Sequence, residues 1–265
     1  MTDDKNSVPS VIRHASSVIR IITASEIEFY LHGSEDFCRS QGDMSEFWQV
    51  VEAVCEAVDI PIFNTEKERG REQHEISLAP CPPAQTIADT NAVKEIITQV
   101  ASKRDMQADF SAKPFADDFG SGLHIHIHLE DENGKNLFYK DDERMSDYLA
   151  YSIGGLLKFL PDNMPIFAPN EQSYARFVAG KNAPTTISWG ANNRTTALRL
   201  PDSASNNKRI EHRVAGADAD VEKVVGSIIA AIDYGIKHKI QPPEQIYGDA
   251  SLDMYNLQKF PLIAK

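Results

Sequence analysis

Residues 121–129 read Ser-Gly-Leu-His-Ile-His-Ile-His-Leu. Side chains alternate between the two faces of a strand. His124, His126 and His128 therefore share one face, and Ile125, Ile127 and Leu129 the other. The oily face needs a cover, and the other presents three imidazoles at two-residue spacing. Two more stretches divide in the same way. Residues 18–31, VIRIITASEIEFYL, are rich in β-branched and aromatic residues and read as a strand. There Glu26 and Glu28 oppose Ile27, Phe29 and Leu31. In residues 208–214, Arg209, Glu211 and Arg213 oppose Ile210 and Val214. Any one of these faces is explained by simple exposure to water. Three of them, carrying Glu-x-Glu, His-x-His-x-His and Arg-x-Glu-x-Arg, are better explained by a site. Carboxylates and imidazoles at this spacing suit a divalent cation, and arginines suit phosphates and carboxylates. Hard oxygen ligands dominate, which favours magnesium or manganese over zinc.

Outward from these strands the pattern changes period. Residues 45–58 carry Phe47, Val50, Val51, Val54 and Val58 at helical spacing, and residues 85–103 carry Ile87, Val93, Ile96, Ile97 and Val100. A third helix is predicted from Arg144 to Leu160, stopping before Pro161, and a last one from Asp220 to Lys239. Shorter strands are predicted at His74–Leu78, Thr185–Trp189 and Thr195–Leu200. The charged stretch before His74 reads as a loop. Residues 161–184 read as a long functional loop, and the chain from Gln241 onward as irregular. Strands and helices mix without a βαβ rhythm. This predicts an α+β fold, with a mainly antiparallel sheet covered by helices on one face. Residues 1–17 are expected to be a flexible tail and residues 18–265 a single catalytic domain. Gly120-Ser121-Gly122 precedes a strand rather than a helix, the wrong order for a phosphate-binding loop.

Composition narrows the function classes. The 265 residues carry a formal net charge of -12, which disfavours nucleic acid and anionic membrane surfaces as partners. No apolar run approaches the roughly 18 residues of a membrane span. Cys38, Cys55 and Cys81 are odd in number and loosely spaced, which fits neither a disulfide framework nor a zinc site. With an acidic, polar N-terminus, the expectation is a cytoplasmic, soluble protein.

Four segments, in order, resemble the catalytic domain of the glutamine synthetase superfamily. They are Glu26-Ile27-Glu28-Phe29; Glu68 through Gln73-His74-Glu75-Ile76; Lys113-Pro114 with Gly120-Ser121-Gly122-Leu123-His124-Ile125-His126 and Gly134-Lys135-Asn136-Leu137-Phe138; and Ser173-Tyr174-Ala175-Arg176 through Ala183-Pro184, Trp189-Gly190, Asn193-Arg194 and Arg199-Leu200-Pro201 to Arg209-Ile210-Glu211-His212-Arg213. The resemblance implies a curved sheet and an ATP-dependent ligase that joins glutamate to an amine through γ-glutamyl phosphate. It implies two magnesium or manganese sites, one at Glu28, Glu68 and Glu75, the other at Glu26, His124 and Glu211. It implies nucleotide contacts at His126, His128, Arg199 and Arg209. Glutamate contacts are implied at Gly120, Arg176 and Arg213, and catalytic positions at Arg194 and Asn182.

Three departures accompany the likeness. The small β domain that precedes the catalytic domain in the family is not in this sequence, nor are the usual C-terminal helices. The resemblance therefore implies a homo-oligomer, or a partner chain that supplies the missing domain. Asn182 stands where ammonia-using members have glutamate, and an amide cannot serve as that base. The spelling is closer to the γ-glutamylpolyamine synthetase branch. His128 replaces a serine, and Phe119 an asparagine. The alternative reading is a catalytically impaired relative that binds metal or nucleotide and regulates another chain.

Overall fold

The computed structural model describes residues 8–14, 17–34, 44–140 and 145–261. Cys38 lies outside them. Among the described residues nine strands form one sheet: β1 Val11–His14, β2 Ser17–His32, β3 Ile62–Lys67, β4 Gln73–Leu78, β5 Gln107–Asp109, β6 Leu123–Glu130, β7 Trp189–Ala191, β8 Leu198–Leu200 and β9 Ile210–His212. Their order is β3-β4-β2-β6-β9-β8-β7, with β1 and β5 also paired to β2. Every pairing is antiparallel except β7 with β8. The helices are α1 Met44–Ala57, α2 Pro83–Ser102, α3 Asp147–Phe167, α4 Glu171–Tyr174 and α5 Val221–His238.

The helices cover the oily face, as expected. Ile27, Phe29, Leu31, Ile76, Leu123, Ile125, Ile127 and Leu129 are buried together with Val93 and Ile97 of α2 and with Ile228 and Ile232 of α5. Thr23 and Ser25 interrupt the oily run on β2. Each meets a hydroxyl of α2: Thr23 pairs with Thr86 at 2.7 Å and Ser25 with Thr90 at 2.8 Å. These two buried hydroxyls thus find partners where water is excluded.

Four expectations change. Val11–His14, read as flexible, pair with β2 and bury Ile12, because an alternating apolar residue beside the sheet edge gains a partner there. The charged stretch before His74 contains β3. Ile62 and Phe63 put one apolar residue on each face and the other four residues are polar, so the alternation that marks a half-buried strand is missing. α3 continues through Pro161 and Pro165 to Phe167. Leu160, Met164 and Phe167 are buried, and their burial outweighs the backbone hydrogen bonds that the prolines remove. The start predicted at Arg144 lies outside the described residues, and Ser146 caps the helix by accepting from the Leu149 N–H at 3.1 Å. In α1, Phe47, Val51 and Cys55 are buried, whereas Val50 and Val54 are exposed, as is Val58 just past its end.

Candidate active site

The face of the sheet away from the helices gathers the ionic residues by register. Glu26 on β2 stands opposite His124 on β6, and Glu28 stands opposite Glu75 on β4. His126 stands opposite Glu211 on β9. Strands a few ångströms apart turn three sequence-distant pairs into one cluster. Glu28, Glu68 and Glu75 bring carboxylate oxygens together within 4.8 Å, the group expected from sequence. Glu26 belongs to two such groups, one with Glu75 and His124, the other with His126 and Glu211. The expected second set of Glu26, His124 and Glu211 is joined by His124 Nδ1, at 3.3 Å from Glu26 and 3.5 Å from Glu211. His126, expected at the nucleotide, is closer still to Glu26, with Nε2 at 2.7 Å from Oε1. Arg209 Nε donates to its Nδ1 at 3.0 Å, so Nε2 carries the proton given to Glu26.

The electrostatics divide the cluster in two. Burial and then the charges of Glu26, Glu28 and Glu68 push Glu75 up to about 10. Burial and Glu28 also raise Glu68. On the other side burial opposes the charge of Glu26, but His126 and His124 hold it well below the usual carboxylate range. Burial likewise works against the charge of Glu211, yet Arg213, His126 and His124 outweigh it and hold the group at about 2. Arg199 Nη1 reaches Glu211 at 2.8 Å, and Arg213 donates to its other oxygen. The Glu28–Glu68–Glu75 group has no cation of comparable closeness among the described residues. A set of crowded hard oxygens short of positive charge fits a divalent ion of the magnesium or manganese type.

The arginines take several roles. Arg176 is fully buried and committed to protein: Nη1 donates to the Val214 carbonyl at 3.0 Å and Nη2 to the Arg213 carbonyl at 3.1 Å. Among the described residues its Nε has no partner. Arg213 Nη2 donates to the Asn182 carbonyl at 2.9 Å. Arg199 faces Glu211 and Asn192 rather than the large cavity described below. Arg194 is exposed, has no hydrogen bond or ion pair among the described residues, and lines neither cavity of the site. Gly120 and Gly122 allow close approach. A Cβ on Gly120 would meet Arg176 Cγ at 2.6 Å, and one on Gly122 would meet Arg176 Nη2 at 2.5 Å and His124 Nε2 at 2.6 Å. The Gly122 N–H donates to Glu28 at 2.6 Å.

Two cavities flank the cluster. The larger, about 570 Å³, takes Glu26, His126, His128 and Arg209 in its wall, with Phe63, Glu130, Asn136 and Tyr139. Glu130 went unread in the sequence although it continues the alternation of the three histidines. It accepts from His128 Nε2 at 3.1 Å and pairs with Arg20 at 3.2 Å. Tyr139 and Phe63 carried no local signal, since only a distant loop and the pairing of the edge strand β3 bring them here. The smaller cavity, about 10 Å³, has Glu28, Glu68, Gln73, Phe119, Gly120, Arg176, Lys181 and Asn182 around it. That is room for about one water. Its lid is the loop Gly180-Lys181-Asn182, with Gly180 and Asn182 both left-handed at φ 77° and 59°.

Residues 35–260 match the family model described as "Glutamine synthetase, catalytic domain". Among similar proteins, γ-glutamylputrescine synthetase PuuA of Escherichia coli is 39% identical over 161 residues, covering 61% of this chain and 34% of that protein. A glutamate–isopropylamine ligase of Pseudomonas is 32% identical, covering 70% and 41%. Glutamine synthetase of Thermotoga maritima is 30% identical, covering 88% and 55%. The chain thus spans between about a third and just over half of these relatives. A solved structure described as a GmaS/ADP complex superposes with a TM-score of 0.81 at 23% identity, covering 92% of this chain and 61% of that one. The sheet, its register-built carboxylate and imidazole cluster and the match over most of the sequence agree: the chain belongs to the glutamine synthetase catalytic-domain family.

Proposed function

We propose that this chain is the catalytic part of an ATP-dependent ligase that joins the side-chain carboxylate of glutamate to an amine. The observation that carries the reading is the register of β4, β2, β6 and β9, which sets six carboxylates and imidazoles on one face between two cavities. The similar proteins add support, since they include glutamate–amine ligases.

The large cavity is the nucleotide site. His126, His128 and Arg209 line it, and the Arg209 guanidinium, which His126 holds through its Nε, supplies donors to the phosphates. The small cavity under Asn182, which holds only about one water while the Gly180-Lys181-Asn182 loop is closed, is where glutamate and the amine meet once that loop opens, with Gly120 and Arg176 in its wall. Magnesium or manganese, held by Glu28, Glu68 and Glu75 and by Glu26 with His124 or His126 and Glu211, supplies the neutralising charge that phosphoryl transfer needs. Arg213, with His126 and His124, keeps Glu211 ionised, Arg199 donates to its other oxygen, and Arg213 also fixes the lid through the Asn182 carbonyl. The reaction makes γ-glutamyl phosphate, whose carbonyl the amine attacks and whose phosphate leaves. Asn182 brings no negative charge to the lid, so the acceptor is a primary amine or polyamine rather than ammonia.

The test is ADP release by the purified protein with ATP, glutamate, magnesium and a panel of amines. Release that requires both glutamate and an amine is the expected result. Tight metal and nucleotide binding without any release would instead identify a regulatory relative.

A further inference from the structure

Lys181 lies between two left-handed residues, which turn its side chain across the small cavity. Its ammonium stands 4.7 Å from the centre of the Phe119 ring and donates to the Asp117 carbonyl at 3.0 Å. Among the described residues it has no ion pair. Phe119 is firmly placed. Its carbonyl accepts from the Tyr30 hydroxyl at 2.9 Å and its N–H donates to Asp118 at 2.9 Å. Glu28 and Glu68 border the same cavity. The ring face is therefore a built receptor for a cation, and the cation on it is a tethered alkylammonium held by one neutral acceptor.

Resting on the ligase reading, we infer that Phe119 and Lys181 set which amine is accepted: the Phe119 face receives the distal ammonium of a linear diamine, which displaces the Lys181 ammonium as the lid opens. The chemistry requires two different nitrogens. The attacking nitrogen must be neutral to offer its lone pair. The other end of a diamine stays protonated at neutral pH, since alkylammonium groups titrate near 10, and a cation entering a closing cavity needs an electrostatic partner. An aromatic face provides one without forming a hydrogen bond to the wrong nitrogen. The lysine side chain, four methylenes and an ammonium, has the length and charge of one end of 1,4-diaminobutane.

Initial rates with 1,4-diaminobutane and n-butylamine distinguish the distal charge from the chain. For Phe119→Leu, the KM for the diamine should rise about tenfold, the size of a desolvated cation–π contact, while that for butylamine stays within about twofold. For Lys181→Met, the diamine KM should fall, because the internal competitor is gone. Parallel changes for both amines, or weaker diamine use by Lys181→Met, would overturn the inference. Calorimetric titration of the diamine into wild type and Phe119→Leu, with magnesium, ADP and glutamate present, provides a second readout. Weaker binding by the variant is expected, and equal affinity or no binding to wild type overturns the inference. Absence of ADP release with every amine would defeat the ligase reading alone, because the titration still decides the role of Phe119.

Discussion

Glu75 and Asn182 show at the scale of one residue how position decides chemistry. Glu75 is held up to about 10 by burial and by four neighbouring carboxylates. Its folded value lies above the unfolded one, so the metal-free protein should lose stability as pH rises from the ordinary carboxylate range toward 10. A divalent cation replaces the missing proton. The rise in melting temperature on adding manganese should therefore grow between pH 6 and pH 8, and calorimetry of chelated and manganese-loaded protein measures it. Glu75→Gln should flatten the pH dependence and shrink the manganese effect, and an unchanged slope in that variant would place the raised group elsewhere. Asn182 has φ 59°, a conformation that asparagine tolerates better than most residues. Asn182→Glu should increase ammonia use relative to amine use in a product assay at matched free-amine concentrations. It should also lower stability by about 1 kcal/mol, because glutamate is disfavoured in that conformation. The histidines and Glu26, Glu28 and Glu211 were legible in the sequence because alternation is local to each strand. The commitments of Arg176 to carbonyls and of Arg199 to Glu211 were not, since a residue's type says what it can bind and not what lies beside it.

Among the elements, α3 and α5 cross at unusually close range. A Cβ on Gly155 would meet the Ala231 carbonyl oxygen at 2.2 Å, and one on Gly235 would meet the Tyr151 oxygen at 2.1 Å. These contacts are backbone, so no side chain can swing aside. Alanine is the better helix former by about 1 kcal/mol, yet Gly155→Ala should destabilise the protein by roughly 1–3 kcal/mol through overpacking. Urea denaturation decides the sign, and a stabilised variant would mean that the helices separate at little cost. The same pair of helices explains why α3 passes its prolines. Its last turns lie on the core, and tertiary burial overrides a local rule that sequence reading applied at Pro161. β3 differs for the opposite reason, since an edge strand with one apolar residue on each face, Ile62 and Phe63, shows no alternation to read.

Across the whole molecule, one sheet carries both the cation cluster and the large cavity, so binding at each should register in a single unfolding transition. Manganese should raise the melting temperature alone, and ADP should raise it further. Arg209→Ala should remove most of the ADP increment and leave the manganese increment, because Arg209 borders the cavity and lies outside the three carboxylate groups. Loss of both increments would show that Arg209 acts through His126 on the cluster rather than on the nucleotide. The sequence by itself determined the class of fold, the oily face of each long strand and the residue types offered on the other, because period-two and period-3.6 patterns are properties of neighbouring residues. It also determined the family, because ordered motifs over most of the chain are linear information. Tertiary structure decided which of those residues meet. Register placed Glu26 against His124 and His126 against Glu211, and long-range loops brought Tyr139 to one cavity and Lys181 to the Phe119 ring of the other. Those contacts join residues far apart along the chain, and they depend on how strands pair and loops close, which no local pattern records.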